Sequence, residues 1–214
     1  MTYTGQTQVG AAPQVRDVGT VTLTKLAVGP LDNNVYLLRA ADGSTLLVDA
    51  AAEPDAILGI LSEGRLDAVL TTHSHRDHWQ ALADVVAHTG ATTLASAVDA
   101  PAIGVATDTV LVHGDTYLLG DVVLDIIGLR GHTPGSLAVH FTDAEGGDHL
   151  LTGDSLFPGG IGRTTDDTFD QLLGDVTERL FDRYDDAWVY PGHGWDTTLG
   201  AERPHLAEWR QRRW

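Results

Sequence analysis

Three histidines and an aspartate lie within six positions of this sequence, in the segment TTHSHRDH: His73, His75, Asp77 and His78. Imidazole and carboxylate groups bind Zn²⁺ or Fe²⁺ where thiols are absent, and the chain contains no cysteine. A polar loop would also contain such residues. Crowding three imidazoles and a carboxylate together is costly, however, unless a cation or hydrogen bonds compensate. The cluster therefore predicts a metal site.

Three more residues of the same types follow strand-like runs elsewhere in the chain. They are His132 in GLRGHTPGS, Asp154 in TGDS and His193 in YPGHG. His73 likewise follows the apolar run DAVLTT. Because sites are commonly assembled from loops at the ends of regular elements, distant residues of this kind are expected to meet. We therefore group these three residues with the histidine cluster.

The elements that must position these residues alternate along the chain. Strand-like runs rich in Val, Leu and Thr recur throughout, at 21–28, 34–40, 44–50, 67–72, 92–97, 109–114, 121–129, 136–143, 148–154 and 186–194. Helical patterns begin at Pro54 and near Glu202, and cover 78–90 and 167–184. We expect a flexible N-terminal tail over 1–18, followed by a single domain of mixed strands and helices over 19–214.

The composition excludes several partners. Thirteen Lys and Arg residues against 30 Asp and Glu give a formal net charge of −17, which repels nucleic acid and anionic membrane surfaces. No apolar run is long enough to span a bilayer. The N-terminus lacks the basic and apolar regions of a signal peptide. We expect a cytoplasmic protein that acts on a small molecule.

Taken together and in this order, the motifs resemble those of the metallo-β-lactamase-fold hydrolases, above all the glyoxalase II-like group. The resemblance extends from about Val21 to the C-terminus and includes the HxHxDH motif. It implies an α+β fold, a four-layer αβ/βα sandwich with metals in a cleft at its edge. It also implies two divalent metal ions, Zn²⁺ in the first instance, with Fe²⁺ or a mixed Fe/Zn pair as alternatives.

The resemblance also implies a role for each residue. The first metal would be held by His73, His75 and His132, and the second by Asp77, His78 and His193. Asp154 would bridge the two metals, and Asp49 in LLVDA would support a ligand from behind. A hydroxide held between the metals, oriented by Asp77, would attack a carbonyl carbon of a thioester or related acyl bond.

Two other activities on this fold stay open. Persulfide dioxygenases are similar in the TGDxL and GRT segments and use one iron, which would map to His73, His132 and Asp154. Lactone hydrolysis is a further alternative. The complete ligand set favours the binuclear hydrolase.

Candidate substrate contacts lie beside these motifs. Arg163 in FPGGIGRTT follows Asp154 closely and is the candidate for an anion contact, and Trp79 would line the cleft or pack beside it. Gln80 stands where the family commonly has Gly. Full glyoxalase II enzymes carry a long helical extension with basic residues for glutathione. Because only Gly194 to Trp214 follow His193, we do not expect glutathione recognition of that kind. A small acyl or thiol-derived substrate and a monomer or homodimer are expected.

Overall fold

The structure, a computed structural model, describes residues 2–61 and 65–213. Seven strands of the first half form one sheet: β1 (Gln14–Asp17), β2 (Val21–Val28), β3 (Asn33–Ala40), β4 (Thr45–Val48), β5 (Ala68–Thr71), β6 (Thr92–Ser96) and β7 (Thr109–Leu111). They lie side by side in chain order. Pairing is antiparallel from β1 to β4 and parallel from β4 to β7.

The second half supplies eight further strands: β8 (Thr116–Leu119), β9 (Val122–Gly128), β10 (Leu137–Thr142), β11 (Asp148–Gly153), β12 (Leu156–Phe157), β13 (Gly160–Ile161), β14 (Ala187–Pro191) and β15 (Thr197–Thr198). Six of them form a second sheet in the order β15-β14-β11-β10-β9-β8, while β12 and β13 pair separately. In the second sheet only β11 and β14 run parallel. Their carboxyl ends therefore meet at one edge of that sheet.

Within residues 2–61 and 65–213, five α-helices cover the outer faces of the two sheets: α1 (Pro54–Gly59), α2 (Leu82–Thr89), α3 (Asp166–Val176), α4 (Leu199–Glu202) and α5 (Leu206–Arg212). Proline at the first position favours the start of α1. Thr165 and Thr168 form a reciprocal capping box at the start of α3. Gly90 ends α2 in the left-handed conformation, which costs glycine little.

Buried apolar side chains form three successive layers. The middle layer joins the sheets through residues such as Leu38 and Val139. The first sheet packs its other face on Ile57 and Val85 of α1 and α2, and the second packs on helix residues such as Phe169. Because both faces of the central strands are buried, these strands read as nearly continuous apolar runs. The predicted α+β four-layer sandwich is confirmed.

Two sequence predictions need correction. Residues 1–18 were expected to be a flexible tail, yet Gln14–Asp17 pairs with β2 along its whole length, because the edge of β2 offers backbone donors and acceptors to an added strand. The helix predicted over 78–90 begins only at Leu82. His78 instead belongs to a 3₁₀ turn, Arg76–His78, whose backbone donates to His75 three residues back. The short strand β8 was not predicted.

Candidate metal centre

The candidate ligands meet where strands of both sheets end. His73 follows β5 of the first sheet after one residue, and Asp154 directly follows β11 of the second. His193 follows β14, the parallel neighbour of β11, and Gly192 N donates to the Gly153 carbonyl at 2.8 Å. His132 lies in the loop after β9. The structure brings these strand-end residues together.

Seven side chains form three overlapping groups whose ligand atoms lie within 4.8 Å of one another. The groups share His73 and His78, so they form one continuous centre. Their members are His73, His75 and His132; His73, His78 and Asp154; and Asp77, His78 and His193. Every residue predicted as a ligand therefore lies in the centre.

Hydrogen bonds at Nδ1 fix the direction of two imidazoles. His132 Nδ1 lies 2.9 Å from the Arg163 carbonyl oxygen, and His193 Nδ1 lies 2.8 Å from the Leu31 carbonyl oxygen. A carbonyl oxygen only accepts, so Nδ1 carries a proton in each ring, and in the neutral imidazole Nε2 holds a lone pair. Both Nε2 atoms consequently face the centre as acceptors.

Asp49 orients two further imidazoles, those of His78 and His73, through hydrogen bonds on the side away from the centre. Its Oδ2 atom lies 2.8 Å from His78 Nδ1 and accepts from the Thr72 hydroxyl, also at 2.8 Å. Because that hydroxyl donates to Asp49, its oxygen is free to accept from His73 Nδ1 at 3.0 Å. The placement agrees with the supporting role expected for Asp49, and it leaves Nε2 of both rings facing the centre.

Three inward atoms are buried and lack any hydrogen-bond partner: His73 Nε2, His132 Nε2 and Asp154 Oδ1. Orphaned polar atoms of this kind are rare in native proteins and are costly. In addition, His78 Nε2 and His193 Nε2 approach to 3.2 Å. Two lone pairs at that distance would repel each other, so either a proton or a metal ion must lie between the two nitrogens. The residues therefore fit a metal centre.

The electrostatics of the centre favour positive charge. Burial opposes protonation of His78, yet the Asp49 and Asp154 carboxylates outweigh it and raise the pKa of His78 to about 10. Burial likewise opposes ionisation of Asp154, but the His193 and His78 imidazoles, whose Nε2 atoms lie 3.4 Å from its carboxylate oxygens, hold the pKa of that carboxyl far below its usual range. Burial lowers the pKa of His73 well below its ordinary value. Carboxylates that attract a proton at His78 attract a metal ion equally.

Two residues missed by the sequence analysis support the ligands. Asn33 Nδ2 donates to Asp77 Oδ2 at 2.9 Å. Asp99 Oδ2 accepts from Ser74 N at 2.8 Å and from the Thr133 hydroxyl at 2.6 Å, which ties the His75 loop to the His132 loop. Asp99 comes just after β6, so the strand-end rule would have found it. Nothing in the sequence distinguishes Asn33.

Two glycines enclose Asp154. A Cβ atom on Gly192 would lie 2.2 Å from Asp154 Oδ1 and 2.8 Å from His78 Cε1. A Cβ atom on Gly162 would lie 1.7 Å from the Asp154 carbonyl oxygen. No other residue fits at these positions without displacing the aspartate, which accounts for glycine in the PGHG and GGIG segments.

These features agree with a comparison against known families. The model of the metallo-beta-lactamase superfamily matches residues 28–201, which include all seven candidate ligands. The chain belongs to the metallo-β-lactamase superfamily. The resemblance drawn from the motifs is thereby confirmed.

Among relatives in this superfamily, the hydroxyacylglutathione hydrolase of Fuscovulum blasticum is 38% identical over 139 residues, 64% of this chain and 53% of that protein. The chain spans 53 to 62% of the length of the first three hydroxyacylglutathione hydrolases that it matches. Two solved metallo-β-lactamase-fold structures are also similar. ETHE1 from Myxococcus xanthus is 27% identical, with TM-score 0.75 and coverage of 86% of this chain and 82% of that one. TTHA1623 in a di-iron-bound form is 29% identical, with TM-score 0.70 and coverage of 84% and 96%.

A cleft opens beside His75 and His132 at the candidate metal centre. Its volume is about 410 Å³, and its lining includes Arg163, Thr165 and Gln171. Arg163 is exposed, while its carbonyl oxygen holds His132. The guanidinium can therefore bind an anion beside the centre without losing the backbone contact.

Trp79 packs rather than facing open solvent. Its indole N–H donates to the Ser74 carbonyl at 2.9 Å, and a Cβ atom on Gly104 would lie 2.8 Å from its ring. These contacts support a packing role for Trp79, while Gln80 beside it is exposed. Over the described residues, no helix is both long and apolar enough to cross a membrane.

Proposed function

We propose that this protein is a metal-dependent hydrolase that cleaves a thioester or a related acyl bond with two divalent metal ions. One observation carries the proposal. Nδ1 contacts on His73, His78, His132 and His193 direct all four Nε2 atoms toward Asp77 and Asp154 in one cluster. Fixing the imidazole from behind while leaving the inner nitrogen free is the arrangement that metal ligation requires.

The residues divide into two positions. His73, His75 and His132 would hold one ion, and Asp77, His78 and His193 the other. Asp154 belongs to a group with ligands of both sets, His73 and His78, so its carboxylate would bridge. Nitrogen and oxygen donors suit zinc and iron alike. The di-iron form of TTHA1623 supports iron as an alternative to zinc.

Bound metal ions would lower the pKa of a shared water and stabilise negative charge that develops on an acyl oxygen. Asp77 is suited to orient that water. Burial opposes ionisation of Asp77, yet the hydrogen bond from Asn33 and the nearby His78 lower the pKa of its carboxyl below its usual value. Asp77 is thus an acceptor at neutral pH. Arg163 would bind an anionic group of the substrate in the adjoining cleft.

The acyl bond is proposed from the relatives. Curated relatives at 33 to 38% identity are hydroxyacylglutathione hydrolases. The thiol carrier is left open, because the chain spans only 53 to 62% of the first three of them. Fold similarity supports a reaction class rather than a substrate.

A second candidate is a persulfide dioxygenase with one iron. The observation in its favour is that the three orphaned atoms belong to His73, His132 and Asp154, a set of two histidines and one carboxylate suited to iron. Similarity to ETHE1 from Myxococcus xanthus adds support.

Metal content separates the two candidates. Protein is purified without chelators from medium with both zinc and iron, and is analysed by elemental mass spectrometry. We expect two metal ions per chain. We then expect the protein to hydrolyse members of a panel of thioesters. One iron per chain together with oxygen uptake on a persulfide would replace the hydrolase with the dioxygenase.

A further inference from the structure

A buried lysine lies beside the loop that carries His193. Lys25 on β2 is fully buried, and its ammonium group has three acceptors. These are the carbonyl oxygens of Gly5 and Gly194, each at 2.8 Å, and Asp196 Oδ1 at 2.6 Å. All three N–H donors of the lysine are therefore used, which a buried ammonium group requires.

Asp196 links this lysine to the N-terminal segment and to β14. Its Oδ2 atom accepts from the Tyr3 hydroxyl at 2.6 Å and from Trp188 Nε1 at 2.9 Å. Its backbone N–H donates to the Gly5 carbonyl at 3.2 Å. Gly5 has φ of +74°, and a Cβ atom there would lie 2.7 Å from Asp196 Cβ. We call Lys25, Asp196, Tyr3 and Gly5 the N-terminal hub.

The hub binds the backbone that follows His193, and Asn34 binds the backbone both before and after His193. The Gly194 carbonyl accepts from Lys25 and, at 2.9 Å, from Asn34 Nδ2. Asn34 Nδ2 also donates to the Pro191 carbonyl at 2.9 Å. The peptide groups that flank His193 are thus fixed by side chains of β2 and β3.

We propose that the N-terminal hub is a positioning device for His193, and thereby sets metal affinity at the position formed by Asp77, His78 and His193. This inference rests on the proposed metal centre. Three hub residues, Tyr3, Gly5 and Lys25, precede the residues 28–201 that match the superfamily model. The N-terminal segment, which lies outside that match, would thus help to hold one ligand of the candidate centre.

The proposal concerns one metal position only. The hub contacts the loop of His193, whereas the loops of His75 and His132 are tied together by Asp99. Weakening the hub should consequently free His193 while leaving the position of His73, His75 and His132 intact. A general loss of stability would weaken both positions.

The decisive variant is Lys25→Met, which keeps the length of the side chain and removes its charge and donors. Tyr3→Phe, which removes one hydroxyl, is the milder companion should Lys25→Met fail to fold. Val176→Ala is the control, because Val176 is buried in the α3 layer away from the hub. Hydrogen exchange of residues 191–198 is measured on metal-free protein, and Zn²⁺ binding is measured by titration.

In Lys25→Met, amide exchange over 191–198 should rise about tenfold in the metal-free protein, because buried acceptors lose their donor and the loop opens locally. Zn²⁺ affinity at the position of Asp77, His78 and His193 should fall about tenfold, while affinity at the other position is retained. Tyr3→Phe should change the amide exchange and the Zn²⁺ affinity in the same directions but by less, and Val176→Ala should leave both quantities unchanged.

Unchanged exchange in both hub variants would overturn the proposal, and so would faster exchange with unchanged Zn²⁺ affinity. An equal loss of Zn²⁺ affinity at both metal positions, or the same loss in Val176→Ala, would show that the hub contributes only to the general stability of the fold. The exchange measurement needs no metal. If the wild-type protein binds fewer than two ions, the binuclear hydrolase fails, and the exchange result still decides whether the hub holds His193.

Discussion

The Oδ2 atom of Asp49 lies 2.8 Å from Nδ1 of His78, and this contact turns Nε2 of the ring toward the other candidate ligands. The same carboxylate accepts from the backbone N–H of Thr72 at 2.7 Å. Asp49 has φ of +61°, a left-handed conformation that aspartate and asparagine tolerate better than most residues. The backbone is therefore shaped to bring this carboxylate beneath His78.

Asp49→Asn should weaken metal binding without unfolding the protein. Asparagine keeps the left-handed backbone and one acceptor, but it removes the negative charge beside His78. Loss of such an outer partner typically costs about 10- to 100-fold in metal affinity. Zn²⁺ titration measures the change. Asp32→Asn is the matched control, since Asp32 has φ of +51° and is exposed. Equal effects of the two variants would contradict the role assigned to Asp49.

Asp154→Ala should lose metal occupancy and turnover together. Asp154 is the candidate ligand placed between the two positions, and its Oδ1 atom is buried without a partner. Elemental analysis of purified protein gives the occupancy. Asp148→Ala is the control, because Asp148 lies on the same part of the chain and contacts His140 at 2.8 Å. Full activity in Asp154→Ala would exclude a bridging role.

Metal uptake at the His78 position should release a proton. With a pKa of about 10 in the metal-free protein, His78 is protonated at pH 7, so an ion that binds Nε2 must displace that proton. Affinity there should rise with pH up to about 10, by roughly tenfold per unit. His73, whose pKa burial holds well below its ordinary value, has no proton to release at pH 7.

Calorimetry at pH 7 in buffers of different ionisation enthalpy counts the protons released. The variant His78→Gln shows which metal position releases the proton, because proton release on metal binding should disappear in this variant. Metal binding that is independent of pH between 6 and 9 at both positions would contradict the electrostatic description of His78.

Arg163→Ala should raise KM for an anionic substrate by about 10-fold with little change in kcat. Arg163 lines the cleft beside His75 and His132, where its charge would contribute equally to ground-state and transition-state binding. Arg163→Lys should recover part of the affinity, because it restores charge without the planar donor pair. An unchanged KM in Arg163→Ala would show that the Arg163 side chain does not bind the substrate.

The ligands were predictable because their motifs combine rare residue types with a structural rule. His73, Asp154 and His193 each follow an apolar run, and strand ends are where the chain can bring distant residues together. Long, buried strands such as β2 and β3 were predictable from their composition, because Val, Leu, Thr and Tyr recur in them and favour strands.

The supporting residues were harder to predict, because a single polar residue carries no periodic signal. Asn33 becomes meaningful only when its amide is seen against Asp77. Lys25 shares the core-facing side of β2 with Val21 and Leu23, where a charged residue is unexpected, and only the folded chain shows the acceptors that allow its burial. Strand β1 was missed because its pairing with β2 depends on tertiary context rather than on its own composition.

The centre draws its ligands from both sheets, and this has a consequence for the order of folding. His78 and His193 are 115 positions apart in the chain, yet their Nε2 atoms lie 3.2 Å from each other. A partly folded chain with only one sheet formed possesses only some of the ligands. Tight metal binding must therefore come late, after the halves have docked, and the ion stabilises the finished arrangement over its precursors.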